Sequence, residues 1–306
     1  MLELQRKLLG DHIRNAAFHK ALKSAIIPGK SVVLDVGSGT GFLSFLAERL
    51  GAKECWLVES GEVGMLAESL AAANGMKKCR FVHAHSGDIP LPKADVLVSE
   101  TLGNYALEEG IIGTMNGARE YLKKDGALIP SSVRQFACPV TSPRLQKEID
   151  VWKVGYGLDM GAARRISLQN MYVKTLKKTD LFHGGKAARA WDDVDFAMEN
   201  EDVREGTAEW NIKKKIVVHG IALWWESILT PGVKLSTSPL AKPTHWEQIY
   251  LPLLEPAACA PGDVLRITLA SDTSPEVRIR LRWTTEVIRK GELRSAQESD
   301  TQEGLL

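Results

Sequence analysis

Little in this chain of 306 residues is present in excess. Lys and Arg number 39 against 38 Asp and Glu, a formal net charge of +1. No field of one sign draws the whole molecule to nucleic acid or to an anionic membrane, so neither is expected as a partner. Any charged partner must be caught by a local patch. The longest basic run, Lys213 to Lys215, reads as a solvated edge. There are four cysteines: Cys55, Cys79, Cys138 and Cys259. None stands in CxxC spacing or beside a histidine pair at metal-ligand spacing, which argues against a metal site. Buried, reduced thiols in a cytoplasmic protein are the expectation. No stretch approaches the roughly 18 apolar residues of a membrane span. The opening "MLELQRKLLGDHIRNAAF" is charged every few residues, where a signal peptide has an apolar core. No internal repeat is visible.

What is there is an ordinary globular composition, 44% hydrophobic and 25% charged. The length suits one large domain or two ordinary ones. Leu2, Leu4, Leu8, Ile13, Phe18 and Leu22 recur at helical spacing and predict one or two amphipathic helices over 2–24. "SVVLDV" (31–36), "ECWLVE" (54–59), "CRFVHA" (79–84), "ADVLVS" (94–99) and "GALIP" (126–130) read as strands. Phe42–Leu50, Val63–Asn74 and Gly110–Lys124 read as the helices between them. Strands alternating with helices predict a parallel α/β sheet. After Pro130 the pattern changes to extended, often alternating segments, as in "VRIRLRWTTEVI". There Val277, Ile279, Leu281 and Trp283 share one face, and Arg278, Arg280 and Arg282 the other. The expected fold is therefore α/β, a Rossmann-like domain over 1–130 followed by an antiparallel β-barrel or sandwich over 131–306. Residues of about 152–192 fit neither pattern and suggest an inserted helical arm. The tail from Gly291 is polar and reads as frayed.

"VVLDVGSGTGF" puts Gly37, Gly39 and Gly41 on a turn between strand and helix, where the backbone can approach a ligand. The dinucleotide fingerprint GxGxxG is not met, because Gly41 comes one position early. Asp35 lies inside the strand before the loop, where it would repel a pyrophosphate and welcome a cation. That favours S-adenosylmethionine, which carries an ammonium and a sulfonium, over NAD. Glu59 ends the second strand, where a carboxylate can accept both ribose hydroxyls. Ser86, beyond the third strand, completes the expected cofactor set, and His83 and His85 lie near the expected adenine edge.

At this point the chain resembles the protein arginine methyltransferases. "VVLDVGSGTG" looks like their first motif, which many methyltransferases share. "SETLGNYALEEG" resembles their double-glutamate hairpin, with Glu100 and Glu109 nine positions apart. "STSPLAKPTHWEQ" resembles the segment ending in Thr-His-Trp, here Thr244, His245 and Trp246. "GDHIRNAAF" resembles their early helix, with Asp11 and Arg14, and "GYGLDM" the start of their dimerisation arm. The resemblance covers nearly the whole chain. It implies an S-adenosylmethionine-dependent enzyme methylating an arginine guanidinium, and a homodimer. It implies that Arg14 grips the cofactor carboxylate and that Asp11 pairs with His245.

The chemistry suits two carboxylates. A guanidinium has a pKa above about 12 and a delocalised charge, so it is a poor nucleophile. Glu100 and Glu109 can bind it through charge-assisted hydrogen bonds worth roughly 1.5–3 kcal/mol each. An asymmetric clamp also draws positive charge from one nitrogen, and Glu109 or the His245–Asp11 pair can take the leaving proton. Glu108 reads as solvent-facing or structural, and Trp224 and Trp225 as core and interface packing.

The chain departs from the family in three places. The aromatic helix that lies over the cofactor has no visible counterpart in "MLELQRKLLG". The hairpin's usual Trp-Met-Gly-Tyr reads Thr101, Leu102, Gly103, Asn104. Ile111 replaces the methionine common in members that make asymmetric dimethylarginine, and "EEG" looks like members that stop at monomethylation. Two alternatives stay open on these residues. One is a small guanidine acceptor, such as free arginine in a bacterial pathway; the other is a catalytically silent dimeric scaffold.

Overall fold

The structure is a computed structural model that describes residues 2–84, 90–277 and 279–305. Ser86 and His85 of the expected cofactor edge, and Arg278, lie outside the described residues. Helices α1 (Leu2–Gly10) and α2 (His12–Ala25) lead into the first sheet. Its strands are β1 (Val32–Val36), β2 (Glu54–Val58), β3 (Cys79–Val82), β4 (Ala94–Val98) and β5 (Leu122–Ile129), joined by α3 (Phe42–Arg49), α4 (Val63–Ala73) and α5 (Ile111–Ala118). The strand order is β3-β2-β1-β4-β5, every pair parallel. Strands β1 and β4 carry continuous apolar runs, as strands covered on both faces must: Val33, Leu34, Val96 and Leu97 are fully buried. The order reverses between β1 and β4, which opens a crevice beyond their carboxyl ends.

Two expectations about this region change. The α-helix expected over 110–124 stops at Ala118, a single 3-10 turn covers Arg119–Tyr121, and β5 begins at Leu122. Ile111, Ile112, Met115 and Ala118 supply a buried helical face, but beyond them the chain pairs with β4 and Lys123 Nζ donates to Asp95 Oδ1 at 2.8 Å. Sheet pairing overrides local helix propensity here. At the start of the chain, α1 supplies what the sequence appeared to lack. It lies over the glycine loop, with Gln5 against Gly39, and sends Leu4, Gln5, Lys7 and Leu8 to the crevice. The cover is aliphatic and polar instead of aromatic.

The second half is antiparallel. Strand β6 (Ser132–Val140) is followed by α6 (Arg144–Ile149), a run of single turns and α7 (Gly161–Ser167). Strand β7 (Tyr172–Lys174) then joins the sheet, single 3-10 turns follow at Lys178–Asp180 and Phe182–Gly185, and β8 (Arg189–Asp195) returns to the sheet. The rest is β9 (Val203–Asn211), β10 (Ile216–Thr230), β11 (Val233–Ser236), β12 (Gln248–Cys259), β13 (Asp263–Asp272), β14 (Arg280–Arg289) and β15 (Glu292–Asp300). One sheet runs β7-β12-β10-β6-β8, with β11 on β10; the other runs β15-β14-β13-β9. Together they form the barrel-like half. The tail expected to fray is instead strand β15, because Lys290 and Gly291 both adopt positive φ, 52° and 81°. Two such residues make the tight turn that matches strand twist, and β15 pairs along β14. Leu281 and Trp283 face the core while Arg282 faces solvent, as the alternation required. The four cysteines are free. Among the described residues no helix is long and apolar enough to cross a membrane.

Candidate active site

Two connections leave the sheet on either side of the reversal, and they meet in a cavity of about 450 Å³. The first is the glycine loop after β1. Gly37 has φ 72°, and a Cβ there would sit 2.8 Å from Thr101 Cγ2. Only glycine satisfies both the backbone and the close approach of the hairpin. Glu59 follows β2 and turns its carboxylate onto backbone amides: Oε2 accepts from Gly39 N at 2.9 Å and Oε1 from Gly61 N at 2.7 Å. It therefore holds the loop while lining the cavity. Asp35 is fully buried, and its Oδ2 accepts from Ser44 Oγ at 2.7 Å. Burial pushes its carboxyl up to about 7, against the hydrogen bonds from Ser44. Asp35, Arg14, Ser38 and Gly39 border a second, smaller space of about 50 Å³ under α1. His83 is turned to the surface, where Nε2 meets Glu68 Oε1 of α4 at 2.7 Å.

The second connection is the acidic hairpin after β4. Glu100 is almost fully buried and paired with Arg14, whose Nε donates to Oε2 at 2.7 Å and whose Nη2 donates to the same oxygen. Arg14 was expected to serve the cofactor and Glu100 the substrate. The structure joins them, because two opposite charges at this burial cannot remain separate. Burial pushes the Glu100 carboxyl up while the Arg14 guanidinium pulls it down. Glu109 has no ion pair among the described residues. It keeps solvent access at the cavity mouth, yet partial burial and the charges of Glu100 and Glu108 raise its carboxyl to about 7. The two carboxylates thus line one cavity in different electrostatic settings.

Asp11 bridges three elements. Its Oδ1 accepts from Arg14 N at 2.9 Å and caps α2. Its Oδ2 accepts from His245 N at 2.7 Å and meets His245 Nδ1 at 2.8 Å. Burial opposes the Asp11 charge, but the hydrogen bonds from His245 and Arg14 hold its carboxyl below the usual range. His245 lies 3.9 Å from Trp246, centroid to centroid, and lines the cavity.

The hairpin is also gripped from the barrel, in part by Trp225, which the sequence suggested as packing. Trp225 Nε1 donates to Gly103 O at 3.0 Å, and Trp246 Nε1 to Leu102 O at 2.7 Å. Asn104 Oδ1 accepts from Glu247 N at 3.0 Å. Tyr105 is fully buried, and its hydroxyl accepts from Gln135 Nε2 at 3.2 Å. Residues 102–105 form the joint between the two halves and overlap the stretch 101–104 where the chain departs from the family pattern. The tandem Trp224-Trp225 carried a partial signal, since adjacent strand residues face opposite ways. Trp224 stacks near Phe136, centroids 6.3 Å apart, and Trp225 points to the hairpin.

Comparison with known proteins agrees with this layout. Residues 133–286 match the arginine methyltransferase oligomerization subdomain, and residues 28–180 match a methyltransferase domain. A probable protein arginine N-methyltransferase 6.1 from Oryza sativa subsp. japonica is 28% identical, over 92% of this chain and 83% of its own length. Protein arginine N-methyltransferase 6 of Xenopus laevis is 29% identical, over 83% of this chain and 79% of its own. Among solved structures, the Trypanosoma brucei PRMT1 enzyme-prozyme complex with AdoHcy superposes with a TM-score of 0.86 at 23% identity, covering 97% of each chain. Arabidopsis thaliana protein arginine methyltransferase 10 gives 0.82 at 22% identity, covering 98% of each. The subdomain match alone spans half of the sequence, and the chain belongs to the protein arginine methyltransferase family.

Proposed function

We propose that this chain transfers a methyl group from S-adenosylmethionine to a guanidinium nitrogen of arginine in a protein or peptide. The observation that carries the reading is one cavity with two differently set carboxylates, Glu100 and Glu109, beside a glycine loop that a Cβ would block. The residues fit the cofactor. Gly37 and Gly39 let it approach the backbone, Glu59 just after β2 lines the cavity as a carboxylate for the ribose, and buried Asp35 with Arg14 offers charges of both signs to the amino acid end. The cofactor supplies an electrophilic methyl on a positive sulfonium. Glu100, fixed by Arg14, positions the guanidinium, and Glu109 binds its other edge. A carboxyl near 7 is well matched to accept the proton that nitrogen loses as its bond to carbon forms. The His245–Asp11 pair is the alternative proton sink, with Nδ1 held by Asp11 and the second ring nitrogen left to exchange.

A second acceptor class has one observation in its favour. Lys7 on α1 lines the same cavity and has no ion pair among the described residues, so it suits the α-carboxylate of free arginine. The arm supports a homodimer: Val151, Val154, Tyr156 and Leu158 are exposed apolar side chains on one short segment. We take the division at residue 130, an arm within 152–192 and a cytoplasmic setting as parts of the same reading. Labelled S-adenosylmethionine offered with an Arg-Gly-rich peptide or with free arginine, and product analysis by mass spectrometry, decides among these. Label should appear as methylarginine in one acceptor. No transfer to any guanidine would overturn the reading.

A further inference from the structure

The hairpin carries a third carboxylate that the mechanism does not use. Glu108 is half-buried and does not point freely to solvent. Its Oε1 accepts from Asn104 N at 2.6 Å. Its side chain is folded over Gly103 so closely that a Cβ at Gly103 would run into Glu108 Cγ, Cδ and Oε1. The segment it covers is gripped at successive points from the barrel. Trp246 holds the Leu102 carbonyl, Trp225 the Gly103 carbonyl, and the Asn104 side chain takes the amide next to the Trp246–His245 pair. All of those contacts come from the barrel, whereas Glu108 holds the segment from within the hairpin itself, where its own N–H also donates to Tyr105 O at 3.0 Å. It immediately precedes Glu109, and Gly110 then turns the chain into α5 with φ 74°. With the Glu108 side chain pinned to Asn104, Glu109 has little left to vary but its own rotamers.

We propose that Glu108 is a positioning residue, a carboxylate latch that closes the hairpin onto Gly103 and Asn104 and so fixes the reach of Glu109 across the cavity to Glu100. The proposal rests on the methyltransferase reading, but the latch itself has a readout that needs no activity. Glu108→Gln keeps an oxygen for the Asn104 amide, whereas Glu108→Ala removes it. Gly103→Ala should evict Glu108 and act like Glu108→Ala. Misplacing a reacting group by about 1 Å can cost on the order of 10²-fold. Glu108→Ala and Gly103→Ala should therefore each lower kcat by about 10- to 100-fold, with KM for both substrates within about threefold. Glu108→Gln should stay within about threefold of wild type. Because both changes break one latch, Gly103→Ala/Glu108→Ala should be no slower than either single variant. Amide exchange at Asn104, followed by NMR, should be slow in wild type and Glu108→Gln and fast in Glu108→Ala. Wild-type kcat in Glu108→Ala, multiplying losses in the double variant, or unchanged Asn104 exchange would overturn the latch. If the wild-type protein methylates no guanidine, the methyltransferase reading and this positioning role fail together, while Asn104 exchange still reports whether the contact exists.

Discussion

The glycine loop and the acidic hairpin share one cavity, but different kinds of contact hold them. The loop is made by its own neighbourhood. Gly37, Gly39 and Gly41 set the backbone, and Glu59 anchors Gly39 from only 20 positions away. The hairpin is held by partners far off in sequence: Arg14 is 86 positions from Glu100, Trp225 is 122 from Gly103 and Trp246 is 144 from Leu102. His245 reaches Asp11 across 234 positions. The cofactor side thus rests on contacts within the first half of the chain, whereas the acceptor side depends on both halves packing together. Damage to the loop should read as lost cofactor affinity, and damage to the barrel contacts as lost turnover.

That contrast can be tested from its strongest consequence downward. Glu100→Gln keeps the shape but not the charge, and kcat should fall about 10³-fold while cofactor affinity by calorimetry stays within about threefold. Arg14→Ala leaves Glu100 buried without its cation. Unfolding by denaturant should show a loss of about 3 kcal/mol or more, together with weaker cofactor binding. Gly37→Ala forces a Cβ against Thr101 in a left-handed backbone. Cofactor affinity should drop at least about tenfold, a larger effect than that on guanidine binding. Trp225→Phe removes the indole donor to Gly103 and leaves a small cavity beside Trp246, and a several-fold loss in kcat with unchanged cofactor affinity is expected. Equal effects of Gly37→Ala and Trp225→Phe on cofactor affinity would erase the distinction between the two sides.

The same contrast explains what could be read from the sequence. Gly37, Gly39, Gly41, Asp35 and Glu59 were legible because the strand-turn-helix pattern that makes them a site is local. Glu100 and Glu109 stood out through spacing and resemblance. The ion pair between Arg14 and Glu100 did not, because it exists only when α2 packs against the end of β4. Trp225 looked like core alone because the carbonyl it meets belongs to the other half of the joint, and Glu108 looked like surface charge because a carboxylate folded back onto its own hairpin has no sequence pattern to announce it. At the fold level, β15 was missed because a polar strand has no apolar alternation to announce it, and its signal lay in the Lys290-Gly291 turn. The cover provided by α1 was missed because Gln5 and Leu8 are unremarkable until they lie over Gly39.

The claim that most needs testing is that Glu109 accepts the proton. Partial burial and the neighbouring Glu100 and Glu108 carboxylates push its carboxyl up to about 7, and it is useful as a base only when ionised. At saturating cofactor, kcat/KM for the acceptor should therefore rise with pH through a limb near 7, level off above it, and fall with unit slope below. In Glu109→Gln the rate should be lower and this limb absent. A limb near 7 that survives in Glu109→Gln, or a flat profile for the wild-type protein, would contradict the account.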